Sequence, residues 1–156
     1  MKIFILDVDG VLTTGQFFYG EDGKLYKVFG PDDNDALNIL KKYIQILFIT
    51  ADKRGYAISK KRIVDHMGFD LNLVDQKNRK EWVENKYKLE DVIYMADGIY
   101  DYDLMKDCGY SIAPLNASII AKNYADKITA CEGGKRAVAE ACLHILDKFF
   151  KVKFPF

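Results

Sequence analysis

The chain opens on an unbroken apolar run, IFILDVD over residues 3–9, which predicts a strand buried on both faces. Similar runs recur at IQILFIT, DLNLVD, VIYMAD and YSIAP. Around them lie segments of helical period: DALNILKKY, GYAISKKRIVDHMGF closed by Gly68, RKEWVENKYKL, YDYDLMKDCG and a terminal RAVAEACLHILDKFF. Between residues 15 and 30, GQFFYGEDGKLYKVFG alternates aromatic and polar positions about GEDG, a hairpin signal. Strands alternating with helices predict an α/β, Rossmann-like three-layer fold with a parallel sheet. The hairpin is an insertion after the first strand, and the short connections leave no room for a large cap domain. No repeat, linker or low-complexity stretch divides residues 1–156, so one domain is expected.

Composition narrows the partners. The 156 residues are 49% hydrophobic and 29% charged, a globular balance, and Lys plus Arg equals Asp plus Glu at 23 each. No net field favours nucleic acid or an anionic membrane. Cys108, Cys131 and Cys142 have no metal-type spacing and are odd in number, which suits free thiols in a reducing compartment. Without a long apolar segment or leader, a soluble cytoplasmic protein is expected.

The candidate chemistry lies where apolar runs end. Asp7 and Asp9 close the first, Thr50 and Asp52 the second, and Asp97 the fourth, with Asp101 just beyond. Open parallel sheets bind ligands beyond the carboxyl ends of their strands. Alternation lets Asp7 and Asp9 face one crevice. Converging carboxylates repel unless a hard cation joins them, and Mg²⁺ accepts carboxylates, waters and phosphate oxygens. A single strand-end Asp is commonly a helix cap or turn residue, but three at two strand ends favour the metal.

These residues resemble a known family. DVDGVLT is similar to motif one of the haloacid dehalogenase superfamily, D-x-D-G-[TV]-L-[TD]; FIT ending at Thr50 resembles motif two, and ADGIYD motif four. The resemblance implies phosphate transfer to Asp7, with Asp9 protonating the leaving oxygen and then activating water. Thr50 would hold phosphoryl oxygens, and Asp7, Asp97 and the Asp9 carbonyl would bind Mg²⁺. Gly10 would allow the tight turn that brings backbone amides to the phosphate, and Asp101 would support the metal site. Lys80 is the expected motif-three lysine, with Lys77 as its rival and Lys53 a further basic neighbour.

The small capless branch resembles the 3-deoxy-D-manno-octulosonate 8-phosphate phosphatases, matching DVDGVLTTG, KVFGPDDNDALNIL, ITAD and GGKRAVAE up to about residue 146. Candidate substrate contacts are then Thr50, Ala51, Asp33, Lys80 and Arg136. Two expected arginines are absent: Asp32 stands before Asp33, and Ala139 before Glu140. The substrate class is therefore a small sugar or sugar-acid phosphomonoester, either the octulosonate or another phosphosugar such as a nonulosonate 9-phosphate. The resemblance also implies a homotetramer built through the hairpin.

Other features read more plainly. The tail FFKVKFPF either packs on its own core or covers a neighbour's site; His66, His144 and Trp82 read as ordinary surface or core residues. A phosphoacceptor signalling domain is disfavoured, because it needs its acceptor after the third strand, where only Asp75 stands. A catalytically idle scaffold of the same fold is the remaining alternative.

Overall fold

A computed structural model describes residues 1–153. Six parallel strands form one sheet in the order β5-β4-β1-β6-β7-β8: β1 (Ile3–Asp7), β4 (Gln45–Thr50), β5 (Asp70–Leu73), β6 (Val92–Met95), β7 (Tyr110–Ala113) and β8 (Lys127–Ile128). The helices are α1 (Asp33–Leu40), α2 (Tyr56–Lys60, continued by π-helical Lys61–His66), α3 (Arg79–Glu84), α4 (Tyr102–Met105), α5 (Ile119–Tyr124) and α6 (Ala137–Phe150). The hairpin is β2 (Thr13–Gly20) with β3 (Gly23–Phe29), antiparallel and separate from the main sheet. Among the described residues no large cap stands between them.

The central strands β1, β4 and β6 are largely apolar because both of their faces are covered, whereas the edge strands β5 and β8 carry polar residues. Phe4, Leu6, Ile46 and Phe48 pack beneath Leu37, Ile63 and Ile145 of α1, α2 and α6. Ile3, Ile5, Leu47, Ile49 and Tyr94 face Val83, Leu104 and Ala121 of α3, α4 and α5 on the other side. β1 is the centre: the chain proceeds to β4 and β5 on one flank, then crosses to β6, β7 and β8 on the other. That reversal opens a crevice above the ends of β1, β4 and β6.

Two elements exceed the sequence expectation. α5 is a short helix capped by Ser118, whose Oγ accepts the Ala121 N–H at 3.2 Å. β8 has two residues, paired with Ile112 and Ala113. Neither is long enough to show a period.

Two of the expected substrate contacts also belong to the scaffold. Asp33 is only 2% exposed, and its Oδ1 accepts the Ala139 N–H at 2.9 Å, so it docks the first turn of α6 on α1. Burial pushes its carboxyl up to about 6. Arg136 is exposed and paired with Asp32, outside the crevice. The Phe-rich tail begins inside α6, where Phe149 meets Tyr110 at 5.2 Å and Phe150 meets Tyr43 at 5.6 Å, on the chain's own core. Phe154 and Phe156 lie outside the described residues. His144 is hydrogen-bonded to Tyr110, and Trp82 packs against the core under Lys86. All three cysteines are free thiols, and among the described residues no helix is long and apolar enough to cross a membrane.

Candidate active site

The crevice above β1 holds a cavity of about 710 Å³ lined by Asp7, Asp9, Thr50, Ala51 and Asp97, with Phe17, Lys24, Lys77 and Tyr100 towards its mouth. Asp7 ends β1, is buried, and accepts the Val8 N–H at 2.8 Å through Oδ1. Gly10 follows with φ +85°, and a Cβ there would stand 2.0 Å from Asp97 Oδ2. The glycine thus supplies both the turn and the room for Asp97. Asn116 fixes this loop: its Nδ2 donates to the Gly10 carbonyl at 3.0 Å while its Oδ1 accepts the Gly133 N–H at 2.6 Å. Thr50 Oγ1 accepts the Asp52 N–H at 3.1 Å, leaving the hydroxyl proton for a ligand.

Carboxylate oxygens of Asp7, Asp97 and Asp101 lie within 4.8 Å of one another. Burial, then Asp7 and Asp101, push the Asp97 carboxyl up to about 8. Burial outweighs the Arg79 guanidinium at Asp7, whose carboxyl rises to about 6. Carboxylates so crowded fit a divalent cation, which would offset their mutual repulsion and the cost of burying their charge. Asp101 is the most occupied: its Oδ1 receives Arg79 Nη1 and the Tyr94 hydroxyl, both at 2.6 Å, and its Oδ2 receives the Gly98 N–H at 3.0 Å. Asp7 and Asp97 are therefore the freer ligands, and Asp101 anchors the arginine.

A pH dependence follows. Carboxyls that titrate higher in the folded than in the unfolded chain favour folding at low pH, and this advantage is lost as pH rises through the folded value. The metal-free chain is expected to melt lower at pH 8 than at pH 6, with Mg²⁺ stabilising it more at pH 8 because fewer protons must leave. Thermal melting with and without Mg²⁺ at the two pH values checks this, and an increment that did not grow with pH would contradict it.

The structure does not bring Lys80 to this site. Its ammonium pairs with Asp107 and, at 3.7 Å, with Asp103 on the outer face of α3. The basic group that reaches Asp7 is Arg79, one residue earlier and 3% exposed, whose Nη2 lies 3.0 Å from Asp7 Oδ1. Successive helical residues point about 100° apart, so only one of two adjacent side chains can face the sheet. Lys77 lines the mouth, 6.0 Å from the Tyr100 ring centroid. Asp52 stood out in the sequence as a strand-end acid, and Lys27 only as the start of KVFGPDDNDALNIL; in the structure Lys27 of β3 approaches Asp9, and Lys24 and Lys27 hold the Asp52 carboxyl at about 2 against the opposing effect of burial. Nothing in the sequence pointed the two lysines at these acids; each is a polar residue within an aromatic ribbon.

A parallel sheet with a buried Asp at the end of its central strand, a second Asp two residues on and an acidic pair across the switch point defines a haloacid dehalogenase-type phosphohydrolase fold. No protein-family model matches the chain. It is 31% identical over 153 residues to the 3-deoxy-D-manno-octulosonate 8-phosphate phosphatase of Haemophilus influenzae, covering 94% of this chain and 83% of that protein. The Escherichia coli K12 phosphatase of the same name is 30% identical over 151 residues, covering 91% and 77%. Among solved structures, the cobalt-bound Haemophilus influenzae enzyme matches with TM-score 0.81 and 27% identity, over 94% of this chain and 88% of that one. The Moraxella catarrhalis enzyme, in complex with magnesium, phosphate and KDO, matches with TM-score 0.80 and 26% identity, over 94% and 86%. The chain belongs to the 3-deoxy-D-manno-octulosonate 8-phosphate phosphatase family.

Proposed function

We propose that this chain is a Mg²⁺-dependent phosphatase that hydrolyses a small sugar or sugar-acid phosphomonoester through a phosphorylated Asp7. The observation that carries this reading is Asp7 itself, facing the cavity beside Arg79 and the Asp97–Asp101 acids. Asp7 attacks phosphorus, the bond to the leaving oxygen breaks, and Asp9 gives that oxygen a proton. Water then attacks the phosphorylated Asp7, yielding its proton to Asp9, so phosphate leaves and both residues return to their starting state. Thr50 and Arg79 neutralise and orient the phosphoryl oxygens. Asp7, Asp97 and the Asp9 carbonyl would hold Mg²⁺, which supplies charge neutralisation and orientation of the phosphoryl group.

The mouth fits an anionic, hydroxylated leaving group. Phe17 and Tyr100 offer flat surfaces, Gln76 and Asp75 offer hydrogen bonds, and Lys77 forms no ion pair among the described residues. A sugar-acid carboxylate would meet Lys77 where the family pattern places arginine elsewhere, and a nonulosonate 9-phosphate suits this mouth as well as the octulosonate 8-phosphate. The test is phosphate release across a panel of sugar and sugar-acid phosphates with and without Mg²⁺. Turnover of none of them, with Mg²⁺ still binding, would favour an idle scaffold of the same fold.

We also infer one hydrolase domain over residues 1–156, located in the cytoplasm on the strength of its free thiols, and self-association as a homotetramer through the hairpin. Phe18 and Tyr26 stack edge to face on the ribbon yet are 60% and 67% exposed. Anchors of this kind each contribute on the order of 2 kcal/mol at an interface. The double variant Phe18→Asp/Tyr26→Asp is expected to weaken assembly by about 10²–10³-fold. Sedimentation should then show a smaller species, and an unaltered sedimentation coefficient would remove the hairpin from the interface.

A further inference from the structure

Besides Phe17 and Lys24, which line the cavity, the hairpin sends one fully buried lysine towards the site. Lys27 lies on β3, opposite Phe17, and its side chain is fully buried at 0% exposure. Its ammonium stands 2.8 Å from both carboxylate oxygens of Asp9, 2.8 Å from Asp52 Oδ2, and 2.9 Å from Ser59 Oγ, to which it donates. Acceptors from three residues, Asp9, Asp52 and Ser59, surround the three protons of the ammonium. Its neighbours on the strand, Tyr26 and Val28, point outwards, so the ribbon presents an apolar face to solvent and Lys27, with Lys24, to the crevice side.

The surroundings are shaped to admit this lysine. At Gly55, just before α2, a Cβ would lie 2.6 Å from Lys27 Cε, 2.9 Å from Lys24 Cδ and 2.2 Å from Asp52 Oδ2. Gly55 has φ −99°, open to any residue, so the glycine serves space and not backbone freedom. A buried ammonium is costly to desolvate, and an anchor needing only to tie a ribbon to a domain could be apolar. What this arrangement adds is a fixed orientation for the Asp9 carboxylate.

We propose that Lys27 is the positioning residue for Asp9, making the hairpin part of the catalytic apparatus. This rests on the reading of Asp9 as the group that protonates the leaving oxygen. In that step the phosphorus–oxygen bond to the leaving group breaks, its electron pair stays on the leaving oxygen, and the Asp9 proton passes to that oxygen while Asp7 becomes phosphorylated. Proton transfer needs a heavy-atom separation near hydrogen-bond length, so a carboxyl free to rotate would lose much of its effect. Lys27 donates to Asp9 Oδ2 from the hairpin side and stands 2.8 Å from Oδ1, while Asp9 lines the cavity. Asp52 and Ser59 hold the ammonium from behind, so it keeps partners while Asp9 exchanges its proton.

The test exploits leaving groups. Phenyl phosphate and p-nitrophenyl phosphate have nearly the same shape, but nitrophenolate departs without protonation whereas phenolate benefits from it. Steady-state kcat and KM are measured for both esters and for 3-deoxy-D-manno-octulosonate 8-phosphate, with the unaltered chain, Lys27→Met and Ser59→Ala. For Lys27→Met, kcat on phenyl phosphate and on the sugar ester is expected to fall about 30- to 100-fold, against roughly 5-fold on p-nitrophenyl phosphate, with KM little changed. Ser59→Ala keeps every charge, and should show the same ordering with a loss of about 3- to 5-fold on phenyl phosphate. It carries the test if Lys27→Met does not fold. Equal losses on the two aryl esters in both variants would make Lys27 a tether only and overturn the proposal. Turnover of none of the three esters by the unaltered chain would instead overturn the phosphatase reading, and this inference with it.

Discussion

Asp7→Asn is expected to abolish phosphate release, by at least about 10⁴-fold in kcat, while the protein stays folded. The replacement is isosteric, so the packing at the end of β1 is preserved, but a carboxamide is a far weaker nucleophile than a carboxylate. Its effect on stability should be small for a specific reason. Asp7 is buried beside two other acids, and its carboxyl is raised to about 6, so the native fold holds this group against its preference for water. Removing the charge relieves that repulsion. It also takes one partner from Arg79, which keeps its bond to Asp101 at 2.6 Å. The two effects oppose, and the metal-free melting temperature should shift by only a few degrees. Mg²⁺ should then stabilise the variant less than the parent, since one ligand has lost its charge. Phosphate release and melting with and without Mg²⁺ check both halves. Retained turnover in a folded Asp7→Asn protein would remove Asp7 from the chemistry.

The fold was legible because its signals are local. Both-face burial writes itself as apolar runs, plainest at β1, β4 and β6, while β5 was legible only as a short strand, DLNL, with alternating apolar positions. The hairpin was equally plain, since GEDG between aromatic positions is turn chemistry. What escaped was short: β8 is two residues long and α5 six, below any usable period. At the site, the strand-end acids stood out, and the structure gathers Asp7, Asp9, Thr50, Ala51 and Asp97 around one cavity. The basic partners were harder. Arg79, Lys24 and Lys27 matter through contacts across 72, 28 and 18 residues of chain, which no spacing rule encodes. Asp33 misled for the opposite reason: its neighbourhood resembles a substrate loop, but its carboxylate meets the backbone of α6, 106 residues away.

The choice between Arg79 and Lys80 is the sharpest consequence of the structure, and three variants separate them. Arg79 forks across the site, with Nη2 at 3.0 Å from Asp7 and Nη1 at 2.6 Å from Asp101 and 3.1 Å from the Tyr94 hydroxyl. Removing a buried cation from such a network leaves its acids uncompensated, at a cost of about 3–5 kcal/mol. Arg79→Met should therefore lower the melting temperature by about 6–20 °C, at roughly 2–4 °C per kcal/mol for a chain of this size. Arg79→Lys tests geometry apart from charge. A single ammonium reaches one carboxylate well but cannot span both as a planar fork does. It should keep most of the stability and lose about 10- to 100-fold in kcat, as orientation of Asp7 and of the phosphoryl oxygens is relaxed. Lys80→Ala removes only a partly exposed pair with Asp107 and Asp103, a class of interaction contributing about 0–1 kcal/mol, and should leave kcat within about twofold. The inverse pattern, with activity lost in Lys80→Ala and intact in Arg79→Lys, would return the motif-three role to Lys80 and require α3 to turn by one residue.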